Sequence, residues 1–184
     1  MAESLLSNHV TRNRTATVIG ILSTEYGPFE WVPRYKPAEE LVYTILSQHT
    51  SDINSHRAFE NLMANFGSLE AVAEADVSEI EQAIKTAGLF RVKAPRIKAV
   101  LERVLDEVGS MDLSFLGEMG LDEAKAWLLR FDGIGPKTAA IILCFSLGMP
   151  AMPVDTHIYR VSKRLGLIGP KVNVDKAHDS LESM

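Results

Sequence analysis

Within Phe131-Asp132-Gly133-Ile134-Gly135-Pro136-Lys137-Thr138-Ala139-Ala140, two glycines one residue apart separate two apolar helical runs, and a proline and a lysine begin the second. Gly133 and Gly135 let the backbone turn tightly and approach a ligand closely. Free amides at the start of the next helix, around Thr138, are then donors for an anion. A nucleic-acid phosphate suits such a site and carries no sequence information. Lys137 opposes the partial positive charge of a helix N-terminus. That is a poor place for a structural cation and a useful one for an amine that acts as a neutral nucleophile. Val154-Asp155-Thr156-His157 follows, with Asp155 placed to cap another helix. Taken singly, these residues also fit an ordinary tight turn, a solvated or phosphate-contacting lysine and a plain N-cap.

Positioning these groups falls to helices, because the apolar periodicity is helical throughout and no alternating strand stands out. Leu41, Val42, Ile45 and Leu46 form one stripe after Pro37, and Ala58, Phe59, Leu62, Met63 and Phe66 form another closed by Gly67. Ile80, Ala83, Ile84 and Ala87 form a third, ended by Gly88. Ile97, Val100, Leu101, Val104, Leu105 and Val108 give the cleanest, with Pro95 near the start and Gly109 past the end. Leu121, Ala124, Leu128 and Phe131 define the helix entering the glycine turn. The helix leaving it, from Pro136 to about Leu147, is apolar almost all round and central. Further helices are expected over about Thr11 to Tyr26, over Thr156 to about Leu165, and around Val174, Ala177, His178 and Leu181. The expected architecture is all-α.

The chain has 184 residues, 46% hydrophobic and 23% charged, as expected of a soluble globular protein with a real core. No apolar run approaches the ~20 residues that span a bilayer, and the N-terminus lacks signal-peptide character. Membrane association is therefore not expected, and a cytoplasmic location is. Cys144, the single cysteine, reads as a buried core thiol. The net charge of −5 is the wrong sign for indiscriminate adhesion to nucleic acid, but the charge is unevenly spread. Residues 60–82 are acidic without Lys or Arg. Residues 85–103 carry Lys85, Arg91, Lys93, Arg96, Lys98 and Arg103 against Glu102 alone, and residues 156–171 carry Arg160, Lys163, Arg164 and Lys171 with no acid. The two runs flank the glycine turn and suggest one basic surface.

Together, Gly133-Ile134-Gly135-Pro136-Lys137-Thr138-Ala139, Val154-Asp155-Thr156-His157, Ile45-Leu46-Ser47-Gln48-His49-Thr50-Ser51-Asp52 and Ala87-Gly88-Leu89-Phe90 with Lys93-Ala94 resemble the helix-hairpin-helix DNA glycosylases, specifically the endonuclease III branch. The resemblance covers about residues 35–170 in order. It implies two helical lobes with a DNA cleft between them: residues 30–148 as a six-helix domain ending in the hairpin, and residues 1–29 with 149–184 as the second lobe. It implies a partner, double-stranded DNA with a damaged base or an abasic site, a nucleoid-associated location, a monomer, and chemistry on a nucleotide rotated out of the stack. Lys137 matches the Schiff-base nucleophile and Asp155 its partner carboxylate, giving a bifunctional glycosylase and abasic-site lyase. Leu89 matches the wedge that fills the gap. Gly133, Gly135, Thr138, Gln48, His49, Arg91 and Lys93 are expected at the DNA, and Asp52 and His157 at the base pocket, where helix caps explain them equally well.

Three features depart from that branch. His49 stands where a glutamine is usual, which bears on the base opposite the lesion, and Asp132 stands where proline is usual, bringing negative charge to the phosphate site. No cysteine follows Cys144, whereas many relatives end in four that hold a 4Fe–4S cluster. Either the protein dispenses with the cluster or the intact protein continues past Met184. No catalytic metal is expected from the histidine spacing. Oxidised pyrimidines are the leading substrate class. A thymine or uracil mismatch glycosylase and a non-catalytic DNA-binding module remain the alternatives, and Gly109–Gly120 has no functional account.

Overall fold

The computed structural model describes residues 2–27 and 30–184, with side chains from Arg12 onward. Ten α-helices run along the described residues, and no strand occurs among them. They are α1 (Ala2–Tyr26), α2 (Pro37–Ser47), α3 (Asp52–Phe66), α4 (Leu69–Glu74), α5 (Val77–Ala83), α6 (Phe90–Val108), α7 (Leu121–Leu128), α8 (Pro136–Leu147), α9 (Thr156–Arg164) and α10 (Val174–Glu182). The caps follow the sequence signals. Ser68 and Asn173 accept side-chain hydrogen bonds from the first turns of α4 and α10, and Gly109 and Gly148 end α6 and α8 in the left-handed region.

α2 and α8 pack on each other at the centre, α3 and α6 pack on α2, α4 and α5 pack on α3 and α6, and α7 lies beside α8. Nine of the eleven residues of α2 are buried, which is why its sequence is apolar on nearly every side. One apolar cluster runs from Ala38 to Ala151 and includes the fully buried Leu41, Ile45, Leu46, Ile97, Leu101 and Ile142. A second, smaller cluster gathers Val154, Ile168 and Ala177 with Ile158, Tyr159 and Leu181 packed around them. Arg14 on α1 reaches the carbonyls of Leu165 and Gly166 at 3.1 and 3.4 Å.

Two segments refine the periodicity reading. The third stripe is not one helix to Gly88: α5 ends at Ala83 and a 3₁₀ turn, Lys85–Ala87, completes it. The stretch from Gly109 to Gly120 holds a second 3₁₀ turn, Ser114–Glu118, which inserts Leu113 and Leu116 fully into the large cluster. That stretch therefore serves packing beside α8. The far end of α8 is fixed by the strap before α2. The Trp31 indole donates to the Cys144 carbonyl at 2.9 Å, beside the bond that carbonyl takes from the Gly148 amide, and the Arg34 amide donates at 3.3 Å to the last-turn carbonyl of Phe145.

Candidate functional site

The glycine turn is built as the sequence requires. Gly133 has φ +83, a conformation L-residues rarely adopt, and Ile134 is buried with its amide on the Phe131 carbonyl. Gly135 caps α8 with extended backbone and Pro136 occupies its first position. The amides of Lys137 and Thr138 then lie in the first turn, where no carbonyl of the helix can accept from them. The Thr138 side chain is buried, so its contribution to an anion site is its backbone. A Cβ at Gly133 would meet Arg96 Cδ at 2.7 Å, because the Arg96 side chain lies across the turn.

Lys137 is exposed, and beside it lies a cavity of about 380 Å³ lined by Gly135, Lys137, Thr138, Asp155, Asp175 and His178 among others. Asp155 caps α9, accepting from the Ile158 amide at 2.7 Å. That bond, helped by the His157 amide and the neighbouring Lys137 and His157 side chains, holds its carboxyl below the usual carboxylate range against partial burial. The site thus presents a fixed anion, an amine at a helix N-terminus and adjacent unpaired amides in one concave surface.

Gln48, His49 and Leu89 form the second part. His49 and Leu89 are the two non-glycine residues with left-handed backbone among the described residues, at φ 54 and φ 47, and both side chains are exposed, Leu89 by 57%. Strain of this kind collects at functional tips. Arg96 joins the parts: its Nη1 donates to Gln48 Oε1 at 3.0 Å while its side chain covers Gly133. Arg91 is exposed one turn earlier on α6.

Several expected positions are corrected by the structure. Lys93 does not face outward: it is 3% exposed, and its ammonium donates to Leu46 O, Thr50 Oγ1 and Ala87 O at 2.7, 2.6 and 2.9 Å. Burial lowers its pKa to about 8. Nor do Asp52 and His157 line the cavity beside Lys137. Asp52 is exposed in the first turn of α3, and His157 is exposed with Nδ1 3.0 Å from Arg160 Nη2. His178 lines it instead, buried to 5% exposure, its Nδ1 donating to the Met152 carbonyl at 2.8 Å. The basic run also breaks up. Lys98 pairs with Glu102 and binds the Ala73 and Ala75 carbonyls, and Arg103 pairs with Glu107, leaving Lys85, Arg91 and Arg96 to carry positive charge toward the tips. Asp132 is exposed and shares a groove with Arg96 and Arg103, cations that offset its charge.

No cluster of three His, Cys, Asp or Glu side chains suited to a metal occurs among the described residues. A 4Fe–4S cluster needs four thiolates, and these 184 residues supply Cys144 alone, within α8 and raised in pKa by burial, so the residues present do not fit that group. No described helix is long and apolar enough to cross a membrane.

Comparison with known proteins agrees with this geometry. The model of the HhH-GPD superfamily base excision DNA repair protein matches residues 42–183. A protein of Arabidopsis thaliana named provisionally as a DNA glycosylase is 38% identical over 75% of this chain and 47% of its own length. Endonuclease III of Thermotoga maritima is 33% identical over 72% of this chain and 58% of its own length. The chain thus spans about half to three-fifths of these relatives. A solved structure of a non-covalent endonuclease III–DNA complex superposes with a TM-score of 0.72 at 25% identity, covering 93% of this chain and 76% of that one. The chain belongs to the HhH-GPD superfamily of base-excision DNA repair proteins, in its endonuclease III-like branch.

Proposed function

We propose that this protein is a DNA glycosylase with abasic-site lyase activity, acting on damaged, chiefly oxidised, pyrimidines in double-stranded DNA. The observation that carries the reading is the pairing of an exposed Lys137 at the start of α8 with Asp155, held ionised at the start of α9, in one cavity. The amides of Lys137 and Thr138 and the turn at Gly133 hold a strand phosphate. Leu89 and His49 occupy the space left by the rotated nucleotide, on the two strands.

The reaction then follows from the groups present. The neutral Lys137 amine attacks the sugar C1′, and the C1′–N bond breaks with its electron pair leaving on the base, which takes up a proton. Asp155 stabilises the positive charge that develops on the sugar and accepts the proton released by the amine. Opening of the sugar ring gives an iminium linking Lys137 to C1′. Removal of a C2′ proton then expels the 3′ phosphate by β-elimination, and hydrolysis of the iminium frees Lys137.

Incubation of the protein with a panel of duplexes, followed by borohydride reduction, tests this. Duplexes with oxidised pyrimidines or an abasic site are expected to give nicked strands and a stable protein–DNA adduct. A panel in which only thymine or uracil mismatches react overturns the substrate class. Salt-dependent duplex binding with no cleavage of an abasic site overturns the activity and leaves a binding module.

A further inference from the structure

The two strained tips belong to different parts of the chain, yet a single side chain joins them. His49 follows the end of α2, and Leu89 precedes α6. Lys93, in the first turn of α6, sends its ammonium back between them. Of its three acceptors, Leu46 O belongs to the last turn of α2, Thr50 Oγ1 follows His49 directly, and Ala87 O stands two residues before Leu89. An ammonium has three donors, so the set is complete. The Thr50 hydroxyl closes the ring by donating to the same Ala87 carbonyl.

Among the described residues no carboxylate pairs with Lys93. Its charge is met by two carbonyl dipoles and a hydroxyl, one of the carbonyls at a helix C-terminus where a cation is favoured. An apolar side chain of the same length packs such a site without desolvating a charge, so stability alone does not account for an ammonium here. What an ammonium supplies and methylenes do not is direction: three fixed bonds that set the distance between the His49 loop and the Leu89 loop.

We propose that Lys93 is a positioning residue that fastens the His49 loop to the Leu89 loop, so that both tips enter a DNA duplex as one rigid unit. This rests on the reading above that these tips occupy the space around a rotated nucleotide. Arg96, one turn further along α6, extends the same unit to the glycine turn through Gln48 and Gly133.

The test uses the full chain and three variants, Lys93→Met, Thr50→Val and Thr50→Ser. One probe is a duplex with 2-aminopurine opposite a tetrahydrofuran abasic analogue, which reports unstacking without any chemistry. The others are an abasic site in a duplex and the same site in a single strand, which has no partner strand for the tips to enter. Lys93→Met and Thr50→Val are expected to lose about tenfold or more of single-turnover scission in the duplex, the scale of a lost charge-assisted bond. They are expected to lose the 2-aminopurine signal at saturating protein and to keep single-strand scission, while Thr50→Ser behaves as wild type. A parallel fall on both abasic substrates, or unchanged duplex scission in a folded variant, overturns the proposal. If Lys93→Met fails to fold, Thr50→Val decides alone. If the wild-type chain unstacks 2-aminopurine but cuts neither substrate, the lyase reading fails and the fluorescence alone decides the role of Lys93. A wild-type chain that gives no 2-aminopurine signal overturns the insertion reading and this proposal with it.

Discussion

The molecule rests on two apolar clusters of very different size, and the pair proposed to react, Lys137 and Asp155, lies where they meet. Lys137 begins α8, whose inner face is buried in the large cluster, whereas Asp155 adjoins Val154 of the small one. The large cluster is built from whole helical faces, with Leu41, Ile97, Leu101 and Ile142 all fully buried. The small cluster has three buried members and relies on polar fastenings. Tyr159 Oη donates to the Val172 carbonyl at 2.8 Å, His178 to that of Met152, and Glu182 accepts from the Met152 amide at 2.8 Å while pairing with Lys125 of α7. Apolar burial holds the helix that carries Lys137, and directional bonds hold the segment that carries Asp155. Stability and activity should therefore respond separately to changes in the two regions.

The sharpest separation is at Asp155 itself. Asn caps a helix as well as Asp does, so Asp155→Asn is expected to leave thermal stability nearly unchanged while single-turnover base release falls by about 10²–10⁴. Asp155→Ala is expected to lose the same activity and about 1 kcal/mol of stability as well. In the large cluster, Leu101→Ala is expected to cost about 2–5 kcal/mol in denaturant unfolding, with activity per folded molecule retained. Retention of activity by Asp155→Asn, or loss of it by folded Leu101→Ala, breaks the division. Glu182→Gln removes one partner of a pair only 16% and 10% exposed, and about 1–3 kcal/mol is expected to go with it. If the fastenings set the carboxylate, that variant also slows base release beyond its effect on the folded fraction.

Two further effects depend on pH. Because the Asp155 carboxyl is held below its ordinary value of 3.8, it contributes stability above that value and loses it as pH falls through the lowered one. The acid limb of unfolding should therefore steepen less in Asp155→Asn. Lys93 acts in the same sense at higher pH, though there it is the charged form that burial disfavours. Its folded pKa, about 8, lies below its ordinary 10.5, so the unfolded chain holds more protons between those values. Wild-type stability measured against Lys93→Met should rise as pH climbs through that window.

Much of this was readable beforehand, for reasons that also explain the errors. Glycines, prolines and caps at helix ends are local signals, so the turn at Gly133, the start of α8 and the Asp155 cap stand in the structure where the sequence puts them. A lysine in a basic run beside a loop tip reads as a phosphate contact, whereas the structure buries Lys93. The signal against that reading was present: Lys93 lies on the same helical face as Ile97, Val100, Leu101 and Val104, the buried stripe of α6. His178 lay on the apolar stripe of α10, but only the folding of α10 against the start of α9 brings it to Lys137, and no spacing encodes that. The role of Leu113 and Leu116 was likewise hidden, because a 3₁₀ turn is too short to show a period.

The central claim is that the Lys137 amine forms the covalent link to DNA. Borohydride trapping on an abasic duplex, followed by proteolysis and mass spectrometry, tests it directly. One modified peptide containing Lys137 is expected, and no adduct in Lys137→Gln. An adduct mapped to another lysine or to the terminal amine, or one that persists in Lys137→Gln, would contradict it.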